Sequence, residues 1–180
     1  MNDLNSPILD AAVLVPIYRE DGHESPLKIV LVRRTEGGTH GGQIAFPGGK
    51  CAPEDNSTLD TALRETHEEI GLTPDAVEIL GELPAVDTVT TGFLIHPYLG
   101  RIKPPAEWRI EPREIAEVLV VNADDLTLPE AHGREMRTFP EWPHPVEIPF
   151  YRIGPHKLWG ATYRILRPLL PKLTTVNSDW

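Results

Sequence analysis

The sequence predicts a mixed α/β fold, a sheet with helices packed against it, on three grounds. Two runs rich in β-branched residues, AAVLVPIY (11–18) and LKIVLVR (27–33), lie near the N-terminus. A helical pattern with start and stop signals follows at residues 58–70. Beyond it, strand-like and helix-like segments mix without the regular alternation of a doubly wound fold. With 180 residues and 40% hydrophobic content, the chain can bury a full core yet is short for two domains, so a single domain over residues 1–180 is expected.

Each element has a local reason. Residues 11–18 and 27–33 read as core strands, paired through the turn-prone DGHESP between them. TEGGTHGG (35–42) holds four glycines, too many for the interior of an element, and reads as a flexible loop leading into QIAFPGG. Ser57 caps the next helix with Asp60 three residues on, and Gly71 followed by Pro74 stops it. Further strands are expected at Val77–Leu83, Phe93–Ile102, Glu117–Val121 and Val146–Tyr151, with a C-terminal helix from about Leu158 to Leu170. Ten of the 19 prolines fall between Pro97 and Pro155, which predicts long, stiff surface connections there rather than a second domain.

Composition narrows the functions. No run approaches the ~18 apolar residues of a membrane span, and MNDLNSPILD lacks the basic and apolar regions of a secretory leader, so a cytoplasmic protein away from membranes is expected. Cys51 is the only cysteine, which excludes an internal disulfide and a cysteine-built zinc cage. Acidic residues outnumber basic ones by 27 to 17, and a net charge of −10 argues against a nucleic-acid surface. An anionic substrate then needs a local positive site or metal ions. A homodimer is compatible with this reading.

The helix at 58–70 carries an unusual load. At ~100° per residue, Leu59, Ala62, Leu63, Thr66 and Ile70 form the stripe expected to be buried. Glu65, Glu68 and Glu69 fall within about 100° of one another on the neighbouring face, without lysine partners. Such crowding suits either a solvated acidic face or a cation, and oxygen-only ligands select magnesium or manganese. Arg64 lies beside the group and can hold a carboxylate through a bidentate fork. Upstream, Pro47-Gly48-Gly49 lets the backbone approach closely, and the Gly48 carbonyl could complete a metal shell. Ile44 and Cys51 break a phosphate-binding P-loop, TEGGTHGG lacks GxGxxG spacing, and Gly71 stands where HExxH requires its second histidine.

GG, a loop, then ALRETHEEIGL resembles the Nudix box of the Nudix hydrolases. Between Gly49 and Arg64 there is one residue more than the common box allows, so Asp55 stands about where the usual loop glutamate would be. This spacing, GGQIAFPGG, Asp55, TALRE, and the later IPFY (148–151) and LWGAT (158–162) are similar to the coenzyme A pyrophosphatase subfamily, over roughly residues 8–170. The resemblance implies an α/β/α sandwich with a mixed β-sheet and hydrolysis of the coenzyme A pyrophosphate to adenosine 3′,5′-bisphosphate and phosphopantetheine. It implies Mg2+ or Mn2+ held by Glu65, Glu68, Glu69 and the Gly48 carbonyl, Arg64 orienting the carboxylates, and a base on a distant loop, Glu114 first and Glu117 second. Gly37 and Gly38 replace the subfamily's usual leucine and arginine, which opens a broader substrate range of nucleotide sugars, ADP-ribose or dinucleotides. A binding module that has lost catalysis is the rival from another class.

The remaining candidates each have an ordinary alternative. Arg33 and Arg34 end a strand, where they bind a phosphate or mark a solvated edge; Lys50 is the next nearest cation. His40 bonds substrate or faces solvent, and Gln43 fixes a base or phosphate or caps a strand. Trp108, Trp142 and Trp159 stack an adenine or pack, with Trp159 expected in the core. Cys51 has no neighbouring base and reads as incidental.

Overall fold

The computed structural model describes residues 9–20, 25–37, 40–88, 92–140 and 142–175. Ile8, Gly38 and most of the turn expected within DGHESP lie outside the described residues.

Strand β1 (Leu9–Tyr18) is apolar on both sides because both sides are covered. Ala12, Leu14 and Tyr18 face one core, and Val15 and Ile17 the other. β2 (Lys28–Arg34) repeats the pattern, with Val30 and Val32 to one side and Ile29 and Leu31 to the other. Helix α1 (Thr58–Ile70) packs on the first face. Helix α2 (Gly160–Leu173) packs on the second through Tyr163, Leu166, Leu169, Leu170 and Leu173. The arrangement is the expected α/β/α sandwich.

The main sheet is mixed. β1 runs parallel to β7 (Phe93–Ile102) from Leu9↔Phe93 to Ile17↔Arg101. Its other neighbours are antiparallel, and β1 divides them. Tyr18 and Ile17 pair with β2, whereas Ala11, Ala12 and Val13 pair with β4 (Gly48–Lys50). β2 swings away to pair with β3 (Ile44–Ala45) and β8 (Ile115–Asn122). β5 (Val77–Glu82) and β6 (Val86–Asp87) edge β7 on the far side, and Pro97 sits where that edge changes from β6 to β5. β2 and β4 thus pair with β1 over different stretches, and Arg34 of β2 and Gly48 of β4 both reach Glu69 of α1.

A second sheet of β9 (His132–Arg137), β10 (Val146–Ile153) and β11 (His156–Leu158) was not anticipated beyond β10. The proline-rich stretch therefore holds more strand than the expected stiff connections. Pro149 is tolerated within β10 because β11 pairs only from Tyr151 onward. The C-terminal helix starts at Gly160 rather than near Leu158, because Leu158 is taken by the β11 ladder opposite Tyr151. Among the described residues no helix is long and apolar enough to cross a membrane.

Candidate active site

α1 begins and ends where its sequence signals lie. The Ser57 side chain accepts from the Asp60 N–H at 3.1 Å, and Gly71 closes the helix at φ 72°, a left-handed conformation that glycine adopts without strain. The buried face is rotated from the expected stripe. Thr61, Ala62, Thr66, Glu69 and Ile70 are buried, while Leu63 is only half-buried. Glu69 is thus a carboxylate inside the protein, 2% exposed, rather than part of a neighbouring acidic surface.

What Glu69 meets there is set by β4. Val13↔Gly48 is a non-hydrogen-bonded pair of the β1–β4 ladder, because the flanking bonds run from Leu14 N–H to the Pro47 carbonyl and from Cys51 N–H to the Asp10 carbonyl. The polar groups of Gly48 therefore turn away from β1, and its N–H donates to Glu69 Oε2 at 2.9 Å. A Cβ on Gly48 would lie 2.3 Å from the Ala12 carbonyl oxygen, fixed backbone of β1, so that position needs glycine for β4 to pair there, whereas one on Gly49 would lie 2.3 Å from Glu65 Oε2 and would push that carboxylate aside. Arg34, at the end of β2, donates from Nη1 to Glu69 Oε1 at 3.3 Å. Burial nevertheless dominates and pushes the Glu69 carboxyl up to about 7, the Gly48 and Arg34 bonds opposing it. Burial also raises Glu65, against the pull of Arg64.

Arg64 ties the helix to the preceding loop. Its Nε and Nη2 donate to the two oxygens of Asp55 at 2.8 and 2.9 Å, a bidentate fork. Nη2 also reaches the Lys50 carbonyl at 3.3 Å, and Nη1 donates to Glu65 at 2.8 Å and Glu68 at 3.1 Å. Asp55 accepts as well from the Ala52 N–H at 2.9 Å and the Thr61 hydroxyl at 2.7 Å. The guanidinium holds the Asp55 carboxyl well below the usual carboxylate range. Asp55 was not among the predicted site residues, although its place in the lengthened spacing was the signal for it.

Residues 103–114 cross the end of α1 and bring up a second acidic group. The Glu111 N–H donates to the Glu69 backbone carbonyl at 2.9 Å, and Thr35 receives the other end, its N–H donating to the Glu114 carbonyl at 2.8 Å and its hydroxyl to the Arg113 carbonyl at 2.9 Å. Glu114 Oε2 stands 4.0 Å from Arg34 Nη2. A β-bulge separates Glu114 from Glu117: Arg33 pairs with Glu117 but Arg34 with Ile115. Ile115 joins the α1-side core, while Glu117 takes the Arg33 Nε hydrogen bond at 2.5 Å and lies 3.4 Å from His156 Nε2. Arg33 lowers the Glu117 carboxyl. Glu117 and Arg33 are therefore engaged with each other on the α2 side, and the structure does not gather Arg33 with the carboxylates of α1.

The other predicted residues are more dispersed. Lys50 is exposed, with Nζ 5.2 Å from the Phe93 ring centroid. His40 is exposed, its carbonyl accepting from the Gln43 N–H, and the Gln43 carbonyl takes the Arg34 N–H at 3.0 Å as a strand bond. Trp108 packs on the α1-side core. Trp159 is half-buried rather than core, under the Arg137 guanidinium at 4.0 Å, and Phe139 links it to Trp142.

Among the described residues no three histidine, cysteine, aspartate or glutamate side chains converge on a metal-binding point, and Arg64 Nη1 is bonded to both Glu65 and Glu68. The donor chemistry still fits a hard divalent cation: Glu65, Glu68 and Glu69 offer oxygen alone, two of them with carboxyls raised by burial, beside a turn that only glycine allows.

A sequence model described as NUDIX domain matches residues 8–142. An uncharacterised Nudix hydrolase, NudL, of Enterobacter sp. (strain 638) is 36% identical over 160 residues, which covers 88% of this chain and 80% of that protein. Among solved structures, a MutT/nudix family protein from Enterococcus faecalis superposes with a TM-score of 0.62 at 21% identity, covering 93% of this chain and 64% of that one. A C. elegans Ap4A hydrolase in a binary complex gives 0.53 at 19% identity over 66% of this chain and 82% of that one. The two structures share the sandwich. The matched span takes in β1, the β4 turn, RETHEEIGL and the loop of Glu114, and together with the NudL likeness it makes this chain a member of the NUDIX family of hydrolases.

Proposed function

We propose that this Nudix pyrophosphohydrolase acts on coenzyme A or its acyl derivatives, releasing adenosine 3′,5′-bisphosphate and (acyl-)phosphopantetheine. The observation that carries the reading is Asp55. The extra residue that sets this chain apart from the common box coincides with a bidentate clamp on Arg64, and GGQIAFPGG precedes it as in the coenzyme A subfamily. Water adds across the P–O–P bridge, one phosphorus gaining hydroxyl and the other phosphate leaving.

Glu65, Glu68, Glu69 and the Gly48 carbonyl would hold Mg2+ or Mn2+. When bound, the cation neutralises the diphosphate and lowers the pKa of water. Arg64 keeps Glu65 and Glu68 registered with the loop, because the same guanidinium grips Asp55 and the Lys50 carbonyl. Glu114, half-exposed and fixed through its own backbone to Thr35, accepts the proton of the attacking water. Residues 1–180 act as one domain on a small-molecule nucleotide.

A second reading keeps the chemistry and widens the substrate to ADP-ribose, dinucleotides or nucleotide sugars. It is favoured by Gly37 and Gly38, which leave out the subfamily's arginine, and by the resemblance in fold to an Ap4A hydrolase. The intact RETHEEIGL argues against a non-catalytic binding module. A panel of coenzyme A, its 3′-dephospho form, ADP-ribose, Ap4A and a nucleotide sugar, assayed with Mg2+ or Mn2+ and resolved by chromatography, separates the readings. Preference for coenzyme A is expected; equal rates on the 3′-dephospho form, or faster turnover of another compound, would move the broader reading ahead.

A further inference from the structure

Glu69 has two oxygens and two unlike partners. Oε2 takes the Gly48 N–H at 2.9 Å, a buried bond from a residue whose position is fixed by the β1–β4 pairing. Oε1 takes Arg34 Nη1 at 3.3 Å, a long bond from a side chain that is 34% exposed while Glu69 is 2% exposed. The backbone partner cannot leave without breaking the turn. The guanidinium can, on a flexible stem whose base stays fixed: the Arg34 N–H bonds the Gln43 carbonyl at 3.0 Å, and its carbonyl takes the Gly42 N–H at 3.2 Å.

We propose that Arg34 is the cation Glu69 keeps in the metal-free protein, and that a divalent ion entering the site displaces it onto a phosphate of the substrate. The inference rests on the pyrophosphatase reading and deepens it. A guanidinium and a divalent ion would repel strongly at the spacing a shared carboxylate imposes, so an ion held by Glu69 would compete with Arg34 for it. Displaced from it, the guanidinium has a planar fork suited to a diphosphate, and Glu114 at 4.0 Å steadies its other edge meanwhile. Arg33 cannot stand in, since it is engaged with Glu117 on the opposite side of the sheet. Binding of the metal and presentation of a phosphate clamp are then one event, and the metal binds first.

Titration calorimetry of the full chain with Mn2+ alone tests the exchange without turnover. Arg34→Gln removes the competitor and is expected to bind Mn2+ about tenfold tighter than wild type, within the usual span of coupling between sites. Arg34→Lys keeps a charge there and is expected to lie between the two. In steady-state assays Arg34→Gln should raise KM more than it lowers kcat. Unchanged or weaker Mn2+ binding in Arg34→Gln would overturn the competition, and tighter binding with an unaltered KM would overturn the handover to phosphate. If instead no nucleoside diphosphate compound is hydrolysed by wild type, the substrate reading falls while the Mn2+ comparison keeps its meaning.

Discussion

The two faces of the central sheet are filled by the same strands and held by different physics. On the α2 side, Tyr163, Leu166, Leu169, Leu170 and Leu173 bury apolar surface, and the helix has no side-chain cap and contains Pro168 and Pro171. Apolar packing supplies the buried contacts there, and Arg164 adds an exposed polar tie, donating to the Asp87 carbonyl and carboxylate at 2.6 Å each. On the α1 side the helix is pinned by polar bonds at each end and along its length: Ser57 at the start, Arg64 to the loop, Glu69 to Gly48, and the Glu69 carbonyl to Glu111. Apolar contact positions a helix to within a rotamer's slack, whereas directional bonds fix individual oxygens. The face proposed to do the chemistry is the one that accepts the cost of burying a carboxylate.

The contrast breaks most visibly at Glu69. Glu69→Gln is almost isosteric, so it should keep the fold yet lose on the order of 10²–10³ in turnover at saturating Mg2+, about 3–4 kcal/mol of transition-state stabilisation. Wild-type rates would return this side of the sheet to mere packing.

Next in size is the dependence of metal-free stability on pH. The folded Glu69 carboxyl, raised from the ordinary value near 4.5 to about 7, binds its proton more tightly than in the unfolded chain. Its contribution is fully present below about pH 4.5 and is lost as pH rises through about 7, roughly 3 kcal/mol in all. Denaturant unfolding in EDTA should show wild type weakening from pH 5 to 8 by more than Glu69→Gln, in which only the raised Glu65 carboxyl still contributes in that sense. Equal slopes in the two proteins would mean that Glu69 carries no desolvation cost.

Asp55 has the opposite sign, its contribution present above the ordinary carboxylate pKa and lost only in strong acid. Asp55→Ala leaves the Ala52 N–H without its acceptor, removes the fork from Arg64 and leaves the Thr61 hydroxyl only a 3.4 Å bond to the Ser57 carbonyl, and should destabilise by about 2–3 kcal/mol, read in denaturant at pH 7. A loss confined to a few tenths would show that the loop does not depend on the clamp.

The smallest effect compares two glutamates three positions apart on opposite sides. Glu114→Gln should slow turnover by about tenfold to a hundredfold, and Glu117→Gln by less than about twofold, in assays at pH 7. The reverse order would place the base across the sheet, with Arg33 and His156.

Much of this was legible in the chain. β1 and β2 showed themselves as unbroken apolar runs because both faces are covered, and Ser57 and Gly71 marked α1 because capping is chemistry local to four or five residues. The presence of three carboxylates on one helix after a glycine turn was readable for the same reason. What could not be read depends on partners distant in sequence. Glu69 sits inside because β4 crosses over it, and helical periodicity by itself placed it on an open face. Glu117 and Glu114 look equivalent until the bulge beside Ile115 separates them, and β9 and β11 are too short or too polar to signal a strand alone.

The parallel ladder between β1 and β7 has a kinetic consequence. Leu9 meets Phe93, so the whole Nudix motif is enclosed in the loop that this pairing closes. A nascent chain that has exposed Glu65, Glu68 and Glu69 still lacks β7 on β1's other edge, and with it the scaffold against which β4 and α1 hold their spacing. Loop-closure entropy must be met before the contacts that reward it form, so the site should be among the last features to mature, on the slow side for a protein of this size. Fragments ending before Phe93 would contain the full motif and bind cations only as a flexible acidic peptide does.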